Sequence, residues 1–148
     1  MLPIGFAEKM ERLLGAEFEA FLASYDRPLA PGLRENPCKR APAAMLADFH
    51  LTDVPWARDG HYYDPLTRPG LSPLHDAGAY YLQEPSAMAP AELLGAQPGE
   101  RVLDLCAAPG GKSTQLAAAM AGRGLLVCNE PVPKRAQILS RNVERMGI

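Results

Sequence analysis

The sequence is short of cysteine, short of long apolar runs and nearly balanced in charge. Three cysteines, Cys38, Cys106 and Cys128, stand at wide spacings in 148 residues with no CxxC pair. That odd count argues against a disulfide framework and a thiolate metal site, and suits a reducing cytoplasm. No stretch approaches the roughly 18–20 apolar residues needed to span a bilayer. The opening Met1–Phe6 runs directly into Glu8, Lys9, Glu11 and Arg12 without a signal-peptide core. Fifteen basic against 17 acidic side chains leave a formal charge of −2. Any contact with nucleic acid must therefore come from a local feature and not from a basic surface as a whole. His50, His61 and His75 are scattered and suggest no metal site. Internal repeats and low-complexity tracts are absent.

What the sequence has in quantity is proline: 15 residues, about double the usual frequency. Most fall between Pro28 and Pro98, which predicts extended and turning backbone there, with helices mainly on either side. Apolar residues make up 47% of the chain, and the length suits about one domain with a real core. From Phe6 to Tyr25 they recur at three- and four-residue steps, predicting two amphipathic helices broken near Gly15. A short helix is expected around Ala43–Phe49. Glu84-Pro85-Ser86 opens a helix that Gly95 ends. Arg101–Cys106 and Leu125–Asn129 read as strands, Lys112–Ala121 and Pro133–Met146 as helices. The succession strand, glycine loop, helix, strand, helix is the start of an α/β doubly wound sheet with parallel strands. Two parallel strands leave edges and faces open, so the sequence reads as the front part of a longer protein. We expect a small α+β N-terminal domain at 1–75 and the beginning of the sheet domain at 76–148.

The chemistry concentrates between the first of those strands and its helix. Cys106-Ala107-Ala108-Pro109-Gly110-Gly111-Lys112 offers small residues that let backbone amides approach a ligand, ahead of a helix N-terminus that favours an anion. Glu130 follows the second strand, where a carboxylate accepts hydrogen bonds from the two hydroxyls of a ribose. Two alternatives stand beside this reading. Gly110-Gly111 could simply make a tight turn, with Glu130 a solvated side chain. Gly111-Lys112-Ser113 also matches the end of a phosphate-binding GxxxxGK[ST] loop, but Cys106 stands where its first glycine belongs. In the Arg34-Glu35-Asn36-Pro37-Cys38-Lys39 stretch, Glu35 and Pro37 disfavour a buried, fully paired strand. Arg34, Lys39 and Arg40 read as a solvated basic cluster that could meet phosphates.

Gly78–Met88 (GAYYLQEPSAM), Val102–Leu116 (VLDLCAAPGGKSTQL) and Asn129-Glu130 together closely resemble the Nop/Sun (Fmu) family of RNA cytosine-5 methyltransferases. The N-terminal helices and the Trp56…Gly60-His61-Tyr62-Tyr63 stretch resemble its bacterial 16S ribosomal-RNA branch. The resemblance implies a class I methyltransferase, Rossmann-like fold, in which Cys106, Ala107, Ala108, Pro109, Gly110, Gly111 and Lys112 wrap S-adenosylmethionine and Glu130 holds its ribose. It also implies a basic position near the cofactor at Arg135, and RNA, ribosomal RNA in particular, as partner. The resemblance further implies that Gln83, Glu84 and Ser86 border the pocket, with helix capping the alternative for Glu84 or Ser86. The family's reaction adds a cysteine thiolate to cytosine C6 before C5 takes the methyl group. It uses one cysteine in a Pro-Cys motif and one in a Thr-Cys motif, both on later strands. Pro37-Cys38 lies too early to be either, so no catalytic residue is assigned and this stretch alone is expected to be inactive. An RNA-binding module without catalysis, or a nucleotide-binding loop, would be the rival readings.

Overall fold

The computed structural model describes residues 2–148. Helices α1 (Phe6–Leu14) and α2 (Phe18–Ala23) are separated by one 3-10 turn at Gly15–Glu17, where the helical periodicity breaks. Phe6, Phe21 and Tyr25 pack in a row, with ring centroids 6.3 and 5.4 Å apart. Then come β1 (Gly32–Glu35), α3 (Ala43–Leu46), β2 (Thr52–Asp53), β3 (Gly60–Tyr62), α4 (Pro73–Asp76) and β4 (Tyr80–Leu82). These elements are short because proline or glycine interrupts nearly every run. The four strands form an antiparallel sheet in the order β2-β3-β1-β4. Its last strand comes from residues 80–82, past the boundary expected at residue 75.

One expectation is overturned here. The Arg34-Glu35 segment is a buried strand paired on both sides, with Leu33 opposite His61 and Leu82. The sheet tolerates its polar residues because each has a partner. Glu35 reaches His61 Nε2 at 3.0 Å, and its amide donates to the Asp59 carbonyl at 2.8 Å. Pro37 lies beyond the strand's end, so its missing N–H leaves no gap in the ladder. Arg34, read as solvated, is 2% exposed. Leu33, Leu46, Phe49, Ala79 and Tyr80 make the core of this half, and the Tyr80 hydroxyl donates to the Pro69 carbonyl at 2.7 Å.

The second half comprises α5 (Pro85–Leu94), β5 (Arg101–Asp104), α6 (Gly111–Met120), β6 (Leu125–Cys128) and α7 (Pro133–Arg145). Glu84 caps α5 by accepting the Ala87 amide at 3.0 Å, Pro85 fills the first helical position, and Gly95 ends the helix in the left-handed conformation. β5 and β6 pair in parallel, Arg101 opposite Leu125 and Asp104 opposite Cys128. Ala91, Leu116 and Met120 from α5 and α6 cover Val102 and Leu126 on one face. The opposite face carries exposed Leu103, Leu125 and Val127. No helix of the described residues is long and apolar enough to cross a membrane.

A polar seam joins the halves. Asn36 Nδ2 donates to the carbonyls of Gly78 and Met146, both at 2.8 Å. Lys39 Nζ donates to the Arg145 carbonyl at 2.9 Å, and Arg145 Nη1 to the carbonyls of His75 at 2.6 Å and Tyr80 at 3.2 Å. The indole of Trp56 donates to the Pro85 carbonyl at 2.9 Å. The fit is tight enough that a Cβ on Gly78, at φ 78°, would run into the Arg145 carbonyl.

Two outcomes are expected. Gly99 has φ 96° and open space around it, so Gly99→Ala should cost about 1–2 kcal/mol through backbone strain alone. Gly78→Ala should cost roughly 3 kcal/mol or more, because the seam must also part; urea denaturation of the two variants measures the difference. Burial and the neighbouring Arg145 hold the pKa of His75 below the ordinary 6.5. The folded state then binds fewer protons than the unfolded one, so this contribution is complete above 6.5 and is lost as pH falls below it. The urea midpoint should drop between about pH 7 and about pH 5, and His75→Gln should flatten that drop.

Candidate functional site

Strand β5 ends in Asp104, whose carboxylate ties down the loop that follows. Its Oδ1 accepts the Cys106 amide at 3.2 Å and its Oδ2 the Ser113 hydroxyl at 2.7 Å. The Ala107 amide donates to the Asn129 carbonyl at 3.0 Å and the Asn129 amide to the Asp104 carbonyl at 2.8 Å. The ends of the two parallel strands are thus tied side by side. Ala107 and Ala108 are buried against Leu139, with Cys128 and Val143 packed around them. Gly110 turns the chain into α6 at φ 114°, and a Cβ there would come within 3.2 Å of Leu139 Cδ1.

No side chain caps the start of α6. Among the described residues, the amides of Gly111, Lys112 and Ser113 have no acceptor, whereas Thr114 donates to the Gly110 carbonyl at 2.8 Å. Free amides at a helix N-terminus form a site for an anion. Gly111 and Lys112 border a cavity of about 200 Å³ lined also by Cys106, Ala107, Ala108 and Pro109 on that side, and by Tyr81–Glu84 and Ala87 on the other. The donor set fits a small ligand with a carboxylate end and a less polar body.

The second wall comes from β4 and the start of α5. Gln83 is buried, its Nε2 donating to the Ala87 carbonyl at 3.0 Å and to Gln115 Oε1 at 3.3 Å. The Tyr81 hydroxyl accepts from Asn142 Nδ2 at 3.3 Å. Burial pushes its phenol pKa up, against the opposing influence of Arg145 and Arg34. Glu84 accepts from the Ser86 hydroxyl and the Ala87 amide, and these bonds hold its carboxyl below the usual carboxylate range.

Glu130 and Arg135 do not line this cavity. The Glu130 side chain is 1% exposed: Oε1 accepts the Val132 amide at 3.0 Å and Oε2 meets Arg135 Nη1 at 3.2 Å. Arg135 Nη2 donates in turn to the Ala108 carbonyl at 2.9 Å. The pair is linked to the loop through the Ala108 carbonyl, with the acid turned into the first turn of α7. Of the cysteines, Cys38 and Cys106 are exposed, and Cys128 is half-buried with its thiol pKa pushed up by burial.

The sequence reading placed Arg34 in a solvated basic cluster, and its place beside this site was missed. Its Nε donates to Gln83 Oε1 at 3.0 Å, and its Nη2 to the Gly111 carbonyl at 3.2 Å and the Thr114 hydroxyl at 2.8 Å. Asp104 and Ser113 were missed too, although an acid at a strand end nine positions before a helix-start serine is a local signal that could have found them.

Comparison with known proteins gives this geometry its context. A family model described as the N-terminal domain of 16S rRNA methyltransferase RsmF matches residues 2–85, and one described as 16S rRNA methyltransferase RsmB/F matches residues 91–148. The ribosomal RNA small subunit methyltransferase F of Erwinia tasmaniensis is 37% identical over 99% of this chain and 33% of its own length. The protein of the same name from Vibrio cholerae is 38% identical over 99% of this chain and 34% of its own length. The chain therefore spans about a third of the length of these relatives. Among solved structures, a methyltransferase homolog protein from Pyrococcus horikoshii superposes with TM-score 0.82 at 29% identity, over 97% of this chain and 49% of that one. NSun6 from Pyrococcus horikoshii with SFG superposes with TM-score 0.83 at 14% identity, over 99% and 63%, which bears on the fold alone. The matches cover both halves, and the chain belongs to the RsmB/F family of 16S rRNA methyltransferases, with the N-terminal domain of the RsmF type.

Proposed function

We propose that the full-length protein methylates cytosine C5 in ribosomal RNA, in the cytoplasm, using S-adenosylmethionine, and that this chain supplies the pocket for the methyl donor. The observation that carries the reading is the run of unpartnered amides that starts α6, of which Gly111 and Lys112 line a cavity walled by small loop residues. The fold expected around it is a doubly wound, class I methyltransferase sheet, of which β5, α6, β6 and α7 are the beginning. Residues 1–75 serve as an RNA-associated domain in front of it, with its sheet completed by β4, and 76–148 open the donor domain.

The donor, when bound, supplies an electrophilic methyl group on a sulfonium. The residues of the chain bind and orient it. The α6 amides, with the positive end of the helix behind them, take the carboxylate of its amino-acid end. Gln83 and Tyr81 close the opposite wall. Glu130 takes the ribose hydroxyls, and its pairing with Arg135 opens to let it do so. Lys112 is exposed and carries no hydrogen bond among the described residues, so its charge is free to attract an anion. None of the three cysteines serves as the attacking thiolate: Cys128 is held protonated within β6, Cys106 belongs to the donor loop, and Cys38 sits in the N-terminal half.

Isothermal titration of the full-length protein is expected to show binding of S-adenosylmethionine and S-adenosylhomocysteine and none of ATP. Preference for ATP would overturn the reading, and binding of RNA without either donor would turn it into an RNA-binding module. Gly110→Val should weaken donor binding by roughly ten-fold or more, since the new side chain collides with Leu139 and displaces the α6 amides. Glu130→Gln should weaken it by roughly three- to ten-fold, one charged hydrogen bond being lost at the ribose.

A further inference from the structure

Arg34 has features that a simple structural role leaves unexplained. It lies on β1, the strand paired on both sides in the antiparallel sheet, yet none of the ion pairs among the described residues involves it. Burial holds its pKa down to about 10, the more distant charges of Asp59 and Glu92 partly opposing that effect, and it stays protonated at neutral pH. A buried cation without a carboxylate is unfavourable unless its donors are occupied. Here Nε and Nη2 are occupied by neutral acceptors, one beside β4 of the same sheet and two on the first turn of α6. These are Gln83 Oε1, the Gly111 carbonyl and the Thr114 hydroxyl, with the Tyr81 ring centroid 6.0 Å from the guanidinium carbon. Three of these four residues, Tyr81, Gln83 and Gly111, line the cavity beside the glycine loop.

We propose that Arg34 is a positioning residue for the methyl-donor pocket, fixing the start of α6 against Gln83 so that both walls of the cavity depend on a strand of the N-terminal sheet. The proposal rests on the donor-binding reading above. A fork of rigidly spaced donors suits this task, because two bonds from one guanidinium set the distance between two acceptors as well as holding each of them. The Gly111 carbonyl and the Lys112 amide belong to one planar peptide unit, so a shift of the carbonyl re-aims an amide at the edge of the cavity. Coupling of this kind is reciprocal: donor binding steadies β1 to the extent that β1 steadies the pocket.

The test uses the full-length protein, titrated with S-adenosylmethionine and followed by amide hydrogen exchange. Arg34→Gln should raise the dissociation constant roughly ten-fold or more, and Thr114→Val, which removes one acceptor of Arg34 and the hydroxyl's own bond to the Gly111 carbonyl, by roughly three-fold. The two effects should be less than additive in the double variant. Saturating donor should slow exchange at Leu33–Glu35 in the wild-type protein and lose that effect in Arg34→Gln. Should Arg34→Gln fail to fold, Thr114→Val and its exchange response decide the matter. Folded variants that bind donor within about two-fold of wild type, with the same donor-dependent slowing at β1, would overturn the proposal while leaving the pocket intact. A wild-type protein that binds no donor would overturn the functional reading and this inference with it.

Discussion

The hydrogen bonds of one buried guanidinium hold the two halves of this molecule in register. Arg34 reaches from the antiparallel sheet to the first turn of α6, and everything that makes the cavity a cavity stands on one side or the other of that contact. Without it, Gln83 would still meet Gln115 and Tyr81 would still meet Asn142, but the first turn of α6 would lose its tie to β1. The seam around it works in the same idiom: Asn36, Lys39 and Arg145 all donate to backbone carbonyls across the boundary. Carbonyls are fixed in place by secondary structure, so a side chain that bonds to them inherits the precision of the elements and not the mobility of another side chain.

The loop itself is organised by a simpler economy of small residues. Ala107 and Ala108 are buried where any larger side chain would push the loop outward, and Gly110 takes a backbone conformation that L-residues avoid. Asp104 then ties the amide of Cys106 and the hydroxyl of Ser113 to the strand end. The result leaves the α6 amides without internal partners while supplying partners to almost every other group nearby. Open donors at the start of α6 are what the proposed anion-binding role requires.

Much of the second half was open to a reading of the sequence, and the reason is locality. Periodicity over Lys112–Ala121 and Pro133–Met146, the apolar runs at 101–106 and 125–129, Pro85 at a helix start and Gly95 at its end all act within a few residues of themselves. The two N-terminal helices and the break at Gly15 were readable on the same ground. Arg34 was not, because its partners lie 49, 77 and 80 positions away. A charged residue next to glutamate and two before another polar residue looks like surface until the sheet closes over it. The Glu130 position follows from strand spacing, but its turn toward Arg135 depends on a side chain five residues on and on a carbonyl in another loop.

The lone tryptophan occupies an informative place in this arrangement. Trp56 belongs to the N-terminal half, yet its indole N–H is fixed to the carbonyl of Pro85, at the head of the helix that follows the Gln83 wall. It is 45% exposed, so its excited state senses water as well as that single bond. The molecule therefore carries a built-in optical gauge of its own seam, whose emission colour reports whether the halves are seated or parted without any label being attached.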